Sequence, residues 1–198
     1  TSATAVQGPV IPSYETTPPA WAVHSGLFEL GPFRPNQALN FASTNNVLIS
    51  ADFLRKHQPQ FDPLFNTTGG EDEEFFLRLQ RAGGVIHAAH DARVTDIVPK
   101  ARLTLEWAMR RKFRMGNTLG RIALLHKEGR ALRFLKGIGA FGKGVGMVCT
   151  LGLGSKTKMV QGLLELVRGL GVMAAFTGLA FQEYSPSAVI KDRSKLAP

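Results

Sequence analysis

Two glycine pairs, Gly69-Gly70 and Gly83-Gly84, bracket a run that opens on four consecutive carboxylates, Glu71 to Glu74. Between the pairs, Phe75, Phe76 and Leu79 fall on one side of a helix, and Glu74 precedes Arg78 by four positions, the spacing of an ion pair on a helical surface. The pattern predicts a helix over 71–82 that starts and stops abruptly. A helix start accepts acid because its unpaired N–H groups and its dipole are positive there. Four acids are more than a cap requires. A carboxylate held just behind a Gly-Gly hinge is how an enzyme presents a general base to a bound hydroxyl. The plainer reading is a solvated helix start, and Glu73 and Glu74 read that way.

Strand and helix signals alternate on either side of this helix. Residues 4–12 alternate weakly and read as a strand, and 42–49 read as another with a polar Asn45-Asn46 start. Ser50 is placed to cap a short helix beginning at Ala51, since its hydroxyl can accept from an unpaired N–H of the first turn. Phe61 to Phe65 forms a turn with hydrophobic anchors, while 85–89 and 92–98 are β-like runs, the second stopped by Pro99. Strands interleaved with short helices predict an α/β layer architecture. Leu103 to His126 is a longer helical stretch. Its Leu103, Trp107, Phe113 and Leu119 share a face, and Arg110, Arg111, Lys112, Arg114 and Arg121 make the polar remainder. Gly116 and Gly120 weaken its interior.

Charge divides the chain. Residues 1–96 carry six Lys/Arg against ten Asp/Glu, whereas 97–198 carry 18 against five. A basic half joined to an acidic half points to an anionic partner for the basic part. Its basic residues alternate with Gly, Leu and Val and not with exposed aromatics, so nucleic acid is not the expected partner. Residues 134–154 and 159–181 are apolar and glycine-rich, each about long enough to cross a hydrocarbon core. Lys136 and Lys143 interrupt the first; Glu165 and Arg168, three apart and able to pair, interrupt the second. Charges at bilayer depth are costly. A helical hairpin lying in the membrane interface, or packed on the preceding domain, is therefore expected in place of two spans. Gly142 and Gly146, four apart, offer a close helix contact. Cys149 is the single cysteine, and neither a disulfide nor a cysteine metal cluster is expected. His87 and His90 lack a convincing third zinc ligand.

Taken in order, Thr44-Asn45-Asn46-Val47-Leu48-Ile49, Phe61-Asp62-Pro63-Leu64-Phe65, Gly69-Gly70-Glu71-Asp72 and the segment Arg110 to Thr118 resemble the C-terminal half of a family 2 glycosyltransferase of the inverting GT-A type. The likeness runs over roughly residues 4 to 122 and is to bacterial surface-polysaccharide enzymes of the succinoglycan-type branch. It implies the C-terminal part of a GT-A (Rossmann-like) nucleotide-sugar transferase domain over 1–122. A helical, membrane-associated hairpin over 123–183 and a disordered tail over 184–198 would follow.

In the family an Asp-x-Asp motif binds the metal; this chain has none and does not begin with Met, so it reads as lacking an N-terminal part. The resemblance makes Asp72 the base with Glu71 supporting it. Gly69 and Gly70, which lack a Cβ, would let backbone approach the donor. Arg110, Arg111 and Arg114 would hold its phosphates bidentately. Asn45 and Asn46 would meet acceptor hydroxyls, and Asp96 would touch a Mg²⁺ or Mn²⁺ whose main ligands are expected in the missing N-terminal part. The segment lacks the Gln-x-x-Arg-Trp form of processive members, which implies addition of a single sugar. The expected partners are a nucleotide-sugar donor, a saccharide acceptor of the polyprenyl-diphosphate-linked kind and an anionic membrane surface. The expected place is the cytoplasmic face of the inner membrane. The competing reading is a non-enzymatic membrane-binding module, which leaves Gly-Gly-Glu-Asp unexplained.

Overall fold

A computed structural model of the chain describes residues 3–127, 129–151 and 154–183; the expected tail over 184–198 lies outside them. The protein is mixed α/β and divides into two compact units. One holds the chain up to Asp62 and Glu71–Leu103; the other holds Pro63–Gly70 and the chain from Thr104 onward. The sequence reading places a boundary at 122.

The first unit is built on a four-stranded sheet. Its central strand β1 (Ala5–Gln7) is followed by β2 (Val10–Tyr14), the short helix α1 (Ala20–Val23), β3 (Ala38–Leu39) and β4 (Val47–Ile49). Helices α2 (Ala51–His57) and α3 (Glu71–Arg81) come next, then β5 (Ile86–Ala88) and β6 (Val94–Val98). The sheet order is β3-β5-β1-β4, with β1 parallel to β5 and antiparallel to β4. Strands β2 and β6 pair in parallel as a separate ribbon, from Val10 opposite Val94 to Tyr14 opposite Val98. The strand expected over 4–12 is thus two strands in two sheets, divided at Gly8-Pro9. A Cβ at Gly8 would stand 2.1 Å from the Ala92 carbonyl oxygen and 2.3 Å from Asn46 Nδ2, so a side chain there would break the crossing.

Helix α3 forms as its spacing predicts, and Phe75, Phe76 and Leu79 are buried with Ala5, Leu39, Ala42, Ile86 and Ala88 in one core. Ser50 caps α2 by accepting from the Phe53 N–H. The strand expected over 42–49 is shorter, because Thr44–Asn46 is a 3₁₀ turn. Asn46 Nδ2 donates to the carbonyls of Pro9 (2.9 Å) and Ala92 (2.7 Å), and Thr44 N donates to Asp72. Those side-chain bonds draw the segment out of the ladder.

The second unit contains α4 (Leu105–His126, capped by Thr104), α5 (Arg130–Gly146), a π-helical stretch over Met147–Leu151, and α6 (Lys156–Phe176). Helix α6 packs against both α4 and α5, and glycine sets the contacts. A Cβ on Gly116 would stand 2.0 Å from the Arg168 carbonyl oxygen, and one on Gly171 would stand 2.1 Å from that of Phe113. Gly144 approaches the backbone of Leu166 and Gly162, and Gly137 lies against Val172 and Gly169, so α5 runs antiparallel to α6. The expected pair Gly142 and Gly146 makes no such contact, since a Cβ on either would meet nothing within 4 Å.

The buried face of α4 also differs from the expectation. Ala108, Gly116, Asn117, Thr118, Gly120 and Ala123 are buried, and so is Arg114. Small residues, not Trp107 and Phe113, let α6 come close. Asn117 then pins the chain beyond α6: its Nδ2 donates to the Leu179 carbonyl (2.9 Å) and its Oδ1 accepts from the Phe181 N–H (3.0 Å).

Helix α6 is, among the described residues, the one helix whose length and composition would allow it to cross a membrane, yet 39% of its apolar window is buried inside the protein. Its two charges pair as their spacing suggests, Arg168 Nη2 donating to Glu165 Oε2 at 2.8 Å. Burial pushes the Glu165 carboxyl up, but the Arg168 bond and the charges of Arg168, Lys112 and Lys143 outweigh it and hold the group below its usual range. Burial also holds the Lys112 amine below its ordinary value, with Glu165 opposing that shift and Arg168 adding to it.

Three tests follow from this packing. Gly171→Ala forces a methyl into the Phe113 carbonyl and is expected to cost about 1–3 kcal/mol in denaturant unfolding. Gly142→Ala meets nothing and is expected to stabilise by about 0.5–1 kcal/mol through helix propensity. The lowered carboxyl makes Glu165 stabilising above the usual carboxylate range, a contribution lost as pH falls through the lowered value. Glu165→Gln should therefore lower Tm at neutral pH, and the gap from wild type should close in acid.

Candidate active site

The loop that leads into α3 is held by α4. Gly69 and Gly70 have φ of +69° and +96°, backbone that glycine adopts without strain. Thr118 Oγ1 donates to the Gly69 carbonyl at 3.3 Å, and a Cβ on Gly70 would stand 2.0 Å from Thr118 Cγ2. One helical turn on, the Arg121 guanidinium donates to Thr68 Oγ1 and to the Leu64 carbonyl (3.2 Å) and lies 5.3 Å from the centroid of the buried Phe65 ring. Both glycines are therefore required by the seat of the loop itself. Sequence reasoning singled out the segment holding Thr118 for phosphate binding and missed this anchoring role.

The four acids of α3 have different surroundings. Asp72 Oδ2 accepts three hydrogen bonds, from Ser43 Oγ, Thr44 N and Thr44 Oγ1, each 3.1 Å. Its second oxygen, Oδ1, is buried and has no hydrogen-bond partner among the described residues. The carboxylate is thus fixed through one oxygen and keeps the lone pairs of the other. Glu71 and Glu73 are half-buried beside it.

Glu74 is not the solvated residue expected. It is 1% exposed, and Arg78 Nε lies 2.7 and 2.9 Å from its two oxygens. Residue 74 shares the inward face with Phe75, and burying its charge is tolerable only with a well-placed partner. Ser43 and Thr44, which orient Asp72, are 29 and 28 positions away, and no local pattern marks them.

The remaining candidates are placed as follows. Asn45 is exposed on the same 3₁₀ turn as Thr44, whereas both Nδ2 hydrogens of Asn46 go to the Pro9 and Ala92 carbonyls. Arg110 is exposed on α4, and the Arg111 guanidinium lies 5.8 Å from the Trp107 ring centroid. Arg114 is 8% exposed and forms an ion pair with Glu183 at 3.1 Å. Asp96 is exposed on β6 opposite Pro12, in a different sheet from the one α3 covers. Among the described residues no three His, Cys, Asp or Glu side chains are grouped to hold a metal ion. His87 Nδ1 lies 3.0 Å from the Asn36 carbonyl oxygen and His90 Nε2 lies 3.0 Å from Asp91.

No family model and no solved structure matches the chain. Its sequence is similar to that of a succinoglycan biosynthesis protein. It is 31% identical over 182 residues to the succinoglycan biosynthesis protein ExoM of Rhizobium meliloti (strain 1021), an alignment covering 90% of this chain. The chain spans 58% of that relative's length. The resemblance to succinoglycan-type biosynthesis proteins is thereby borne out.

The seat of the loop is testable apart from any activity. Gly70→Ala places a methyl inside Thr118 at a positive φ and is expected to cost about 1–3 kcal/mol. Adding Thr118→Ala should recover only part of that loss, because the backbone strain persists; denaturant midpoints of the two variants check this.

Proposed function

We propose that the protein works in surface-polysaccharide synthesis of the succinoglycan type as an inverting GT-A glycosyltransferase. It would move one sugar from a nucleotide-sugar donor to a saccharide acceptor. The observation that carries this reading is Asp72. One carboxylate oxygen is held by three donors while the other is buried without a partner, and the residue follows directly on the seated Gly69-Gly70 loop. The likeness to a succinoglycan biosynthesis protein supports the same reading.

In this mechanism the acceptor hydroxyl meets the Asp72 carboxylate. Its oxygen attacks the anomeric carbon from the side opposite the leaving group. The C–O bond forms as the bond to the nucleoside diphosphate breaks, the electron pair leaves with the diphosphate, and the hydroxyl proton passes to Asp72. Ser43 and Thr44 act as positioning residues, since orientation of the base contributes as much as its basicity. Glu71 would support the acceptor side, and exposed Asn45 offers an amide for sugar hydroxyls.

Arg110 and Arg111 remain the candidates for the diphosphate on chemical grounds, because guanidinium stays charged and meets phosphate oxygens bidentately. Arg114 is the weaker choice, as Glu183 already neutralises it. A polyprenyl-diphosphate-linked acceptor at the cytoplasmic face of the inner membrane suits the basic second half. A purely membrane-binding module gives the Asp72 arrangement no role.

Asp72→Asn keeps shape and removes the base. Transfer from nucleotide sugars is expected to fall by about 10²–10⁴-fold, with the circular dichroism spectrum and nucleotide-sugar Kd unchanged. Turnover within twofold of wild type would overturn the assignment of the base.

A further inference from the structure

Helix α5 turns a wholly apolar surface outward. Its buried residues, Gly137, Ala140 and Gly144, lie on one line facing α6. The opposite arc, about 140° wide at 3.6 residues per turn, holds Leu132, Leu135, Ile138, Gly139, Gly142 and Val145. All six are exposed, Leu132 at 57% and Leu135 at 61%. An ordinary surface helix carries its polar residues there. No charged or hydrogen-bonding side chain lies within this arc, whereas Lys136 and Lys143, seven apart and both exposed, run along one edge of it.

The charge around this face identifies what covers it. From Gly129 to Leu164 the sequence has six Lys/Arg and no Asp/Glu. Two such surfaces would repel one another, which disfavours a second copy of the chain. An anionic bilayer matches both features, with hydrocarbon against the arc and phosphates against the lysines, whose stems reach past the apolar edge. Helix α6, although its composition would allow it to cross a membrane, has Gly162, Leu164, Gly169 and Val172 buried in the protein.

We propose that the outward arc of α5 is a membrane-insertion face: the helix lies in the plane of an anionic bilayer, with Lys136 and Lys143 at phosphate level, and α6 remains a core helix of the protein. The proposal rests on the reading of a polysaccharide-building enzyme at a membrane only for its purpose; its test involves no sugar transfer, so failure of either leaves the other standing.

The full chain is floated with phosphatidylglycerol–phosphatidylcholine vesicles and with pure phosphatidylcholine vesicles. Binding to the anionic vesicles is expected to be about tenfold or more stronger. The double variant Leu135→Glu, Ile138→Glu is expected to lose about tenfold or more of it, while Leu170→Glu on the exposed side of α6 keeps it. Both replaced side chains of the double variant already face outward, and an unchanged Tm confirms the fold. In Gly142→Trp, at the centre of the arc, the added tryptophan emission should shift to the blue with anionic vesicles only. Vesicle binding that survives in the double variant overturns the proposal. So does an unshifted Gly142→Trp emission, or a wild-type chain that ignores vesicles and instead forms a dimer that the double variant dissociates.

Discussion

Backbone contact at glycine governs the helical unit. Where Gly116 and Gly171 let α4 and α6 approach, and where Gly137, Gly144, Gly162 and Gly169 let α5 and α6 approach, a single methyl would collide with a carbonyl, an amide or a neighbouring side chain. Helix α4 is then held on one side by α6, and Asn117 ties down the chain beyond α6. With α4 fixed, Thr118 and Arg121 can hold the loop from Leu64 to Gly70 in one conformation.

The four acids show how one local pattern is divided by its surroundings. All sit in the first turn of α3, where the dipole favours negative charge equally. Glu74 turns toward the core and is neutralised by Arg78, so it braces the helix. Asp72 turns toward the Ser43–Thr44 corner and takes three donors on one oxygen. Its second oxygen has no hydrogen-bond partner among the described residues.

The two apolar helices make the same point about membranes. Hydropathy favours α6, whose composition alone would let it span. Packing reverses the order, because α6 lies against two helices and α5 against chiefly one, so the less apolar helix keeps the larger exposed apolar face. Lys136 and Lys143, which argue against a buried span, are well placed at the edge of a helix lying flat.

Much of this was legible in the sequence because it is local. The extent of α3, the Ser50 cap, the strands β5 and β6, the length of α4 and the Glu165–Arg168 pair all follow from spacings of a few residues. The Gly-Gly-Glu-Asp segment is local too, and it is the source of the proposed base. Only the tertiary structure decided which helical face met a neighbour. It buried Arg114 where a polar stripe was expected, gave Gly137 and Gly144 the contacts expected of Gly142 and Gly146, and committed Asn46 to two carbonyls. A helical period shows which residues share a face. It does not say what that face meets, because the partners come from 29 to 54 positions away, as Ser43 does for Asp72 and Gly171 for Asn117.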